Sequence, residues 1–505
     1  MEIKASFRDH AYIKLEAELS VLKDIHSHFS FHVKGYKYMP EYKAGRWDGK
    51  IKLYNHGNRT LPRGLLQDLI DFCHKDGRRY YLTMDDALIE DFRTGGHDFD
   101  TDWSDTLTLT SKGEIIKPEP YQSAGLGHAI RNRRSIVQSP TGSGKSLVIY
   151  LYCRYLLEKG LAQKILIVVP STSLVEQMIG DFCDYSSLDP DFFPEDIMHG
   201  IYSGRSKDVQ DSAIVCSTWQ SIYSIPKDWF LQFDGVVVDE CHTCKAKSLN
   251  TVMGNLALAK YRMGTTGTFD GDNNTIMQIR GLFGDIFRAA MTKDLIRQGK
   301  LANLKINVLS FKYPKGIMQK YKMKEHKHEI NYIVGHTSRN QFIVNLALDK
   351  TTENTLILFN LLGKHGKVLY RMLNEANTDP ERKILFVSGA VKVEEREKIR
   401  KTVEATTGTI VVASFGTYQQ GINIKNLNNI IFAAPSNSQI RVLQSIGRAL
   451  RVSDKKKSAT LYDIVDVLSR GKMKNHVYRH GIERMRLYKK EQHPYKIYDI
   501  EMGED

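Results

Sequence analysis

The sequence predicts an α/β protein in which two tandem parallel-sheet lobes follow a small N-terminal α+β module. Strand-like apolar runs alternate with helical segments from about residue 118 to 300, and the pattern returns from about 330 to 468. Such alternation is typical of parallel sheets covered by helices. The first hundred residues differ, because their strand-like segments alternate apolar and polar side chains, as half-buried strands do.

Length and composition agree with several domains and an anionic partner. The chain has 505 residues, more than a single core usually organises. Apolar residues make up 41% and charged residues 26%, which is ordinary for soluble globular proteins. The net charge of +14 favours nucleic acid as a partner, although a basic surplus can also serve solubility alone.

The N-terminal module is predicted to span residues 1–100. Residues 29–33 and 50–53 alternate as strands, and apolar residues recur at helical spacing from Leu65 to Phe72. Its aromatic residues are interspersed with Lys, Arg and His, which suits nucleic-acid contact. The alternative is that the aromatics fill a small core, and for Trp47 we favour that interpretation.

The two lobes are assigned to residues 101–303 and 304–468, and a basic tail to 469–505. Buried strands of parallel sheets are continuous apolar runs. These runs lie at 165–169, 213–216 and 235–238 in the first lobe, and at 355–359, 383–387, 409–413 and 429–433 in the second. The tail is rich in Lys, Arg and Tyr and is expected to track a phosphate backbone, with a solvated helix as the alternative.

A phosphate-binding loop is predicted at residues 139–146, Ser-Pro-Thr-Gly-Ser-Gly-Lys-Ser. It matches GxxxxGK[ST] except that Ser139 replaces the first glycine. Glycines let backbone N–H groups face the phosphates, and the following helix N-terminus adds partial positive charge. Lys145 is expected to reach the outer phosphates and Ser146 to hold Mg²⁺. The predicted nucleotide-binding residues of this loop are Thr141, Gly142, Ser143, Gly144, Lys145 and Ser146.

Asp239 and Glu240 supply the second half of a nucleotide site. They follow the apolar run 235–238, so both carboxylates stand at a strand end. Nucleoside triphosphate hydrolysis needs an acidic partner for Mg²⁺ and an acceptor for the proton of the attacking water. Asp239 is the metal-side candidate and Glu240 the base. An isolated acidic pair at this position would instead be interpreted as a helix cap.

Residues 444–451 form a third candidate element, Gln-Ser-Ile-Gly-Arg-Ala-Leu-Arg. Arg448 and Arg451 are three residues apart and share one helix face. We expect their guanidiniums to reach the γ-phosphate as it leaves, an effect that raises turnover roughly 10³–10⁵-fold in other nucleotide hydrolases. Standing alone, the segment would be a surface basic helix. The predicted catalytic set is Lys145, Asp239, Glu240, Gln444, Arg448 and Arg451.

These elements together resemble helicase superfamily 2 of the DEAH-like type. The segments 139–146, 239–242, 264–268 and 444–451 resemble motifs I, II, III and VI in their order. Further elements resemble the Gln motif at 121–122, motif Ia at 170–174, motif Ib at 217–220, and motif V at 412–417 and 420–423. The resemblance covers about residues 118 to 468.

The resemblance implies two RecA-like lobes that close on ATP with Mg²⁺. It places Tyr121 and Gln122 on the adenine side and Gly421 near the nucleotide. It also implies a nucleic-acid path along Thr172, Thr218 and Thr417. Two departures exist, Ser139 in motif I and the Thr-Gly-Thr of motif III at 266–268. Both are small-for-small changes, so hydrolysis is expected to survive.

Within that superfamily the whole chain resembles phage recombination and branch-migration helicases. The shared features are the Gly-Arg-Trp-Asp-Gly segment at 45–49, the Asp-Glu-Cys-His box at 239–242 and the basic tail with 480–484. The resemblance implies movement on branched or single-stranded DNA and remodelling of forks, Holliday junctions and R-loops in recombination, repair and replication. RNA in R-loops and recombination or single-strand-binding proteins are the further partners implied.

Three rival functions stay open from the sequence. The same motor could act on RNA or RNA–DNA hybrids, since no motif separates the two nucleic acids. A translocase subunit of a restriction system would need a nuclease or partner chain, and no nuclease-like cluster is evident outside the lobes. A non-catalytic regulator would predict damaged motifs, whereas Lys145, Glu240, Arg448 and Arg451 are all present.

Cysteine use and hydropathy indicate an intracellular location, the host cytoplasm if the chain is phage-encoded. The six cysteines are few and scattered, so a disulfide framework is not expected. The CxxC at 241–244 lacks a second ligand pair at zinc spacing. No signal-peptide core or membrane-length apolar run is evident.

Overall fold

A computed structural model describes the chain except residues 34, 76–79, 94–97, 203–205, 210, 246, 270–272, 322–324, 390, 392, 422–423, 425, 436–437, 451–457, 470–473 and 504–505. The chain divides into two compact units. The first comprises Met1–Ser139 and Gly144–Ala290, and the second comprises Pro140–Ser143 and Met291–Asp505. Among the described residues, no helix is both long and apolar enough to cross a membrane.

The first unit begins with the predicted α+β module. Its elements are β1 (Glu2–Phe7), β2 (Tyr12–Ala17), α1 (Leu19–His28), β3 (Ser30–His32), α2 (Pro40–Lys43), β4 (Lys50–Lys52), β5 (Thr60–Pro62), α3 (Leu66–His74), β6 (Tyr81–Met84) and α4 (Asp86–Arg93). One sheet has the order β5-β2-β1-β6, and β3 pairs with β4 in a separate ribbon. Alternate residues of β1 and β2, such as Ile3 and Ile13, are buried against the apolar faces of α1 and α3.

Next in the first unit is a seven-stranded sheet in which every pair of neighbours is parallel, with the order β11-β12-β10-β13-β14-β9-β15. A hairpin of β7 (Leu109–Ser111) and β8 (Glu114–Ile116) precedes it. The remaining elements are α5 (Pro120–Asn132), β9 (Arg134–Gln138), α6 (Lys145–Glu158), β10 (Ile165–Val169), α7 (Thr172–Tyr185), α8 (Pro194–Ile197), β11 (Met198–Ile201), β12 (Ile214–Thr218), α9 (Trp219–Ile222), β13 (Gly235–Asp239), α10 (Lys247–Asn255), β14 (Tyr261–Thr266), α11 (Asn273–Phe283) and β15 (Ile286–Arg288).

The apolar runs of this lobe form its central strands because helices cover both faces of the sheet. All five residues of β10 and of β12 are buried, so neither strand alternates polar and apolar positions. One face packs against α6, in which the ten residues from Leu147 to Leu156 are all buried. The other face packs against a cluster that includes α10 and α11.

The second unit carries another seven-stranded, wholly parallel sheet, with the order β18-β19-β17-β20-β21-β16-β22. Its elements are α12 (Thr292–Arg297), β16 (Asn303–Lys312), α13 (Lys315–Lys320), α14 (His326–Gly335), α15 (Thr337–Leu348), β17 (Thr355–Phe359), α16 (Lys367–Ala376), β18 (Ile384–Val387), α17 (Val393–Ala405), β19 (Ile410–Ser414), α18 (Phe415–Gly421), β20 (Asn429–Phe432), α19 (Gln439–Ala449), β21 (Ser458–Val467), α20 (His476–Lys490) and β22 (Tyr495–Glu501). The two sheets are RecA-like lobes, as the sequence predicted.

The C-terminal segment, expected as a basic tail, is folded onto the second lobe. Its last strand, β22, pairs with β16 over seven residues and forms an edge of the sheet. Its helix, α20, is fixed by Arg484, whose Nε donates to Asp463 Oδ1 at 2.9 Å in a buried ion pair. Tyr488 donates to the same carboxylate at 2.8 Å. Arg484, one of the basic residues of α20, therefore has a structural partner inside the lobe.

Candidate nucleotide-binding site

The predicted phosphate loop connects the end of β9 to the start of α6. Gly142 and Gly144 both have left-handed backbone conformations, with φ of +88° and +77°. A side chain at Gly144 would also clash with the amide nitrogen of Gln122. The left-handed backbone therefore favours glycine at this position, and a larger residue would also displace the Gln122 amide. At its start, the Ser139 N–H donates to the Thr266 carbonyl at 3.0 Å, which ties the loop to the neighbouring strand β14.

Lys145 and Ser146 occupy the first turn of α6. The Lys145 Nζ donates to the Ser139 carbonyl at 3.5 Å, so the ammonium is held over the loop. Ser146 Oγ shares a hydrogen bond of 2.7 Å with the hydroxyl of Tyr185, the last residue of α7. No local pattern indicates this tyrosine, because it lies 39 residues from Ser146 in a helix with an ordinary amphipathic pattern.

Asp239 ends β13 and is held by its neighbours. Its Oδ1 accepts from the Glu240 N–H at 3.0 Å and from Thr265 Oγ1 at 2.7 Å. Burial, reinforced by the charge of Glu240, raises the pKa of Asp239, while Lys145 and the Thr265 hydrogen bond act in the opposite direction. A buried carboxylate next to a second carboxylate is stabilised by additional positive charge.

Glu240 has a left-handed backbone, with φ of +53°, which is uncommon for a residue with a side chain. Its Oε2 lies 3.1 Å from His242 Nδ1, and that nitrogen lies 3.0 Å from Thr266 Oγ1. His242 is buried. Glu240 is thus linked to Thr266 through one imidazole, in addition to the direct hydrogen bond between Thr265 and Asp239. The sequence did not assign this role to His242 or Thr266.

Gln122 lies against the phosphate loop. It belongs to a capping box at the start of α5, where the Glu119 N–H donates to its Oε1 at 2.8 Å. Its Nε2 donates to the Gly144 carbonyl at 3.3 Å. Burial raises the pKa of the adjacent Tyr121 to about 12, with a contribution from Glu119. Within the first unit, the structure therefore brings together Gln122, Gly144, Lys145, Ser146, Asp239 and Glu240.

Magnesium suits the oxygen ligands gathered at this edge of the sheet. Mg²⁺ is usually held by one or two carboxylates together with substrate phosphates and water. Asp239 and the Ser146 hydroxyl supply protein oxygens of that kind, and the raised pKa of Asp239 marks a place where a cation would stabilise the ionised form. Among the described residues, no group of three or more His, Cys, Asp or Glu side chains forms a ready-made metal cage.

Several predicted residues lie in the second unit. Arg448 is on α19, and its guanidinium lies 5.9 Å from the centre of the Tyr418 ring. Gln444 is on the same helix, and Gly421 ends α18. Residues 422–423 of the motif V segment and Arg451 lie outside the described residues. Thr141, Gly142 and Ser143 of the phosphate loop are grouped with this unit, and Ser143 N–H donates to the Pro140 carbonyl at 3.2 Å.

The three threonines assigned to a nucleic-acid path differ in exposure. Thr172 begins α7 and is exposed. Thr218 ends β12 and is buried, with its Oγ1 2.9 Å from Ser221 Oγ. Thr417 is also buried, and its Oγ1 lies 2.7 Å from Ser414 Oγ. Thr218 ends β12, and Thr172 comes shortly after the end of the adjacent parallel strand β10, so both lie at the same edge of the first sheet.

Three family models match the chain. They are described as "Type III restriction enzyme, res subunit" over residues 115–271, "DNA helicase UvsW, N-terminal" over 2–85, and "Helicase conserved C-terminal domain" over 323–453. The second model covers most of the N-terminal module, and the other two each cover much of one lobe.

Similar proteins include the ATP-dependent DNA helicase uvsW of Enterobacteria phage T4, which is 35% identical over 99% of this chain and 100% of its own length. The crystal structure of T4 UvsW matches with 32% identity and a TM-score of 0.51, again over 99% of this chain and 100% of that one. The DNA 3'-5' translocase XPB2 of Sulfurisphaera tokodaii is 21% identical over 86% of this chain and 95% of its own. On this evidence the chain belongs to the UvsW family of ATP-dependent helicases in helicase superfamily 2.

Proposed function

We propose that this protein is an ATP-driven DNA helicase that remodels branched DNA, including forks, Holliday junctions and R-loops, during recombination, repair and replication. The observation that carries the proposal is the assembly of Lys145, Asp239 and Glu240 at one edge of the first sheet, in a chain that matches the phage T4 helicase over nearly its full length. The host cytoplasm is the proposed location, with recombination or single-strand-binding proteins as partners.

In the proposed chemistry, Lys145 binds the outer phosphates of ATP and Glu240 accepts the proton of the attacking water. Asp239 and Ser146 are the proposed Mg²⁺ ligands, and the cation when bound would neutralise phosphate charge. Gln122 and Tyr121 are proposed on the adenine side. The second lobe is proposed to contribute Gln444, Arg448 and Arg451, whose guanidiniums would stabilise charge on the departing phosphate, and Gly421.

For the DNA path, we propose contacts at the sheet edges where Thr172, Thr218 and Thr417 lie. Thr172 is the strongest candidate for a side-chain contact because it is exposed at the start of a helix. The hydroxyls of Thr218 and Thr417 are hydrogen-bonded to serine hydroxyls. We therefore propose that these two segments contact DNA through backbone groups. Contacts of this type read phosphates rather than bases, which predicts little sequence preference and strong salt dependence.

The first rival is a helicase that acts on RNA or on RNA–DNA hybrids. We propose to compare stimulation of ATP hydrolysis by forked DNA, single-stranded DNA and RNA of one sequence. The proposal expects DNA to stimulate more than RNA, with the Lys145→Ala variant inactive on all three. If RNA alone stimulated hydrolysis, RNA would replace DNA as the proposed substrate.

The second rival, a translocase subunit of a restriction system, has the match to the type III restriction family in its favour. That match ends at residue 271, however, and residues 2–85 match a UvsW model instead. The whole-length correspondence with a phage helicase therefore favours the DNA-remodelling function.

A further inference from the structure

A cavity of 510 Å³ lies between the N-terminal module and the first lobe, within the first unit. The module contributes Arg63, Leu66 and Asp91 to its walls. The lobe contributes residues at the amino ends of three parallel strands: 131–134 before and at the start of β9, Lys260 before β14, and 284–285 before β15. The phosphate loop follows the opposite, carboxyl end of β9. Four residue steps separate Arg134 from Gln138, about 13 Å along a strand.

The walls of this cavity carry more positive than negative charge. Of the described side chains that line the cavity, five are cationic: Arg63, Arg131, Arg133, Arg134 and Lys260. The lining carboxylates are Asp91 and Asp285. Asp285 already forms an ion pair with Arg280, with Arg280 Nη2 2.5 Å from Asp285 Oδ1. Arg280 itself is not among the residues that line the cavity. That leaves Asp91 as the lining carboxylate that faces the cluster.

Asp91 is shared among several bases. It forms an ion pair with Arg63, lies 3.6 Å from Arg133 Nη1, and lies 3.9 Å from His10 Nδ1. Nη1 of Arg63 and Nη1 of Arg134 are buried and have no hydrogen-bond partner among the residues that the structure describes. The Arg63 side chain is only 4% exposed. Buried guanidinium groups normally have their N–H donors satisfied, so these two donors indicate an acceptor that binds there.

The pKa values of the arginines in this cluster also indicate a binding site for an anion. Burial and the neighbouring guanidiniums of Arg134, Arg262 and Arg133 lower the pKa of Arg63 to about 8. Burial and Arg134 likewise lower the pKa of Arg262 to about 9. Asp9 acts in the opposite direction on both arginines, so part of the positive charge is already compensated. The repulsion that remains among the guanidiniums would be relieved by a bound anion.

The lining indicates a phosphate group rather than a free nucleoside. Among the described residues that line the cavity, Leu66 and Phe92 are the apolar members, which is too little surface to enclose a base. Arginine is well suited to phosphate because its planar fork donates two parallel hydrogen bonds. Lys260 is partly exposed and Arg131 exposed, so the cationic surface continues outwards from the buried arginines.

We propose that this cavity binds a backbone phosphate of the DNA substrate, as a second anion site at the opposite edge of the sheet from the phosphate loop. The proposal rests on the proposed DNA-remodelling function. Because β9 connects the two sites directly, DNA held here would be gripped by the same strand that carries the ATP-binding loop. The N-terminal module would thereby contribute to holding DNA through Arg63, which lines the same cavity as Lys260.

The test compares Lys260→Gln with Lys23→Gln, an exposed lysine of the same unit that does not line the cavity. Binding of a labelled forked DNA is measured over a range of KCl concentrations. Each phosphate contact contributes about 0.9 to the slope of log K against log salt. We expect Lys260→Gln and Arg131→Gln each to reduce that slope by about 1 and Lys23→Gln to leave it unchanged. Equal thermal unfolding midpoints establish that the variants are folded.

A second arm separates DNA from free phosphate. The shift of the unfolding midpoint with added inorganic phosphate is measured for the wild type and the same variants. Unchanged DNA slopes together with a lost phosphate shift would overturn the assignment to DNA, because the cavity would then hold a free anion. Unchanged DNA slopes and unchanged phosphate shifts would overturn the site itself. In both cases DNA-stimulated ATP hydrolysis by the wild type would leave the proposed function standing.

Discussion

Glu240 and His242 are joined by a contact of 3.1 Å between a carboxylate oxygen and the imidazole Nδ1. The same nitrogen lies 3.0 Å from Thr266 Oγ1, at the end of the adjacent strand β14. The residue proposed to activate water is therefore connected through a single buried side chain to a segment that also receives the Ser139 N–H of the phosphate loop. We therefore expect His242 to couple hydrolysis to unwinding.

The first prediction concerns that connection. His242→Ala leaves Asp239, Glu240 and Lys145 in place but separates Glu240 from Thr266. We expect DNA unwinding per ATP consumed to fall about tenfold, while hydrolysis falls by about threefold or less, because the chemical groups remain. Steady-state hydrolysis and unwinding are measured on the same preparation, with His199→Ala as the control. An equal loss in both rates would contradict a coupling role.

The second prediction concerns the pKa of Asp239, which burial and Glu240 raise. A carboxyl whose pKa is higher in the folded than in the unfolded state lowers stability as pH rises through that range. Asp239→Asn removes the buried charge and retains an oxygen that can accept from Thr265. We expect the free energy of unfolding of this variant to exceed that of the wild type at neutral pH, with ATP hydrolysis lost.

Urea unfolding at pH 8 and pH 5 measures that difference. The difference in stability should be smaller at the lower pH, because a carboxyl with a raised pKa gains its proton earlier than an ordinary one as the pH falls. A variant less stable than the wild type at pH 8 would show that the ionised carboxylate is instead stabilised by its surroundings.

The third prediction concerns Ser146, whose hydroxyl is bonded to Tyr185 at 2.7 Å. If Ser146 is a Mg²⁺ ligand, its oxygen exchanges this partner for the cation. Tyr185→Phe removes the competing hydrogen bond, worth about 0.5–1.5 kcal/mol, and should strengthen the apparent Mg²⁺ affinity about two- to tenfold. Hydrolysis is measured against Mg²⁺ concentration at fixed ATP. A weaker apparent affinity would mean that Tyr185 positions Ser146 for the cation.

The fourth prediction concerns the C-terminal helix. Arg484 forms a buried ion pair with Asp463, and removal of one member of such a pair typically costs about 3–5 kcal/mol. Arg484→Ala should therefore destabilise the second lobe by that amount. Arg486→Ala, two residues along and exposed, is the matched control and should change stability by less than about 0.5 kcal/mol. Equal effects of the two substitutions on denaturant unfolding would contradict the structural role.

The sequence predicted those parts of the molecule that local patterns determine. The apolar runs at 165–169 and 355–359 coincide with β10 and β17, because strands buried on both faces need continuous apolar residues. The glycines of the loop predicted to bind phosphate, Gly142 and Gly144, do have the left-handed backbone that the motif requires. Asp239 of the predicted acidic pair ends a buried strand, as its position after an apolar run indicated.

Other features depend on contacts between distant segments and left no local signal. Tyr185 reaches Ser146 from the end of an ordinary amphipathic helix. In the sequence, nothing distinguishes Arg63 from the many other basic residues. Its special environment arises only in the fold, where it lies beside Asp91 and Arg134. The C-terminal segment has the composition of a solvated tail, although it contains the strand β22. Buried and exposed residues do not alternate along β22, because it is an edge strand with most of its residues exposed. Its pairing with β16 is visible only in the folded sheet.

The measurement that tests the central claim most directly is branch migration of a model four-way DNA junction, with a simple duplex of the same length alongside. The account predicts that the wild type converts the junction when ATP and Mg²⁺ are present, faster than it separates the duplex, and that Lys145→Ala converts neither. A wild-type protein that hydrolyses ATP with DNA yet leaves the junction intact would contradict the claim that this motor remodels branched DNA.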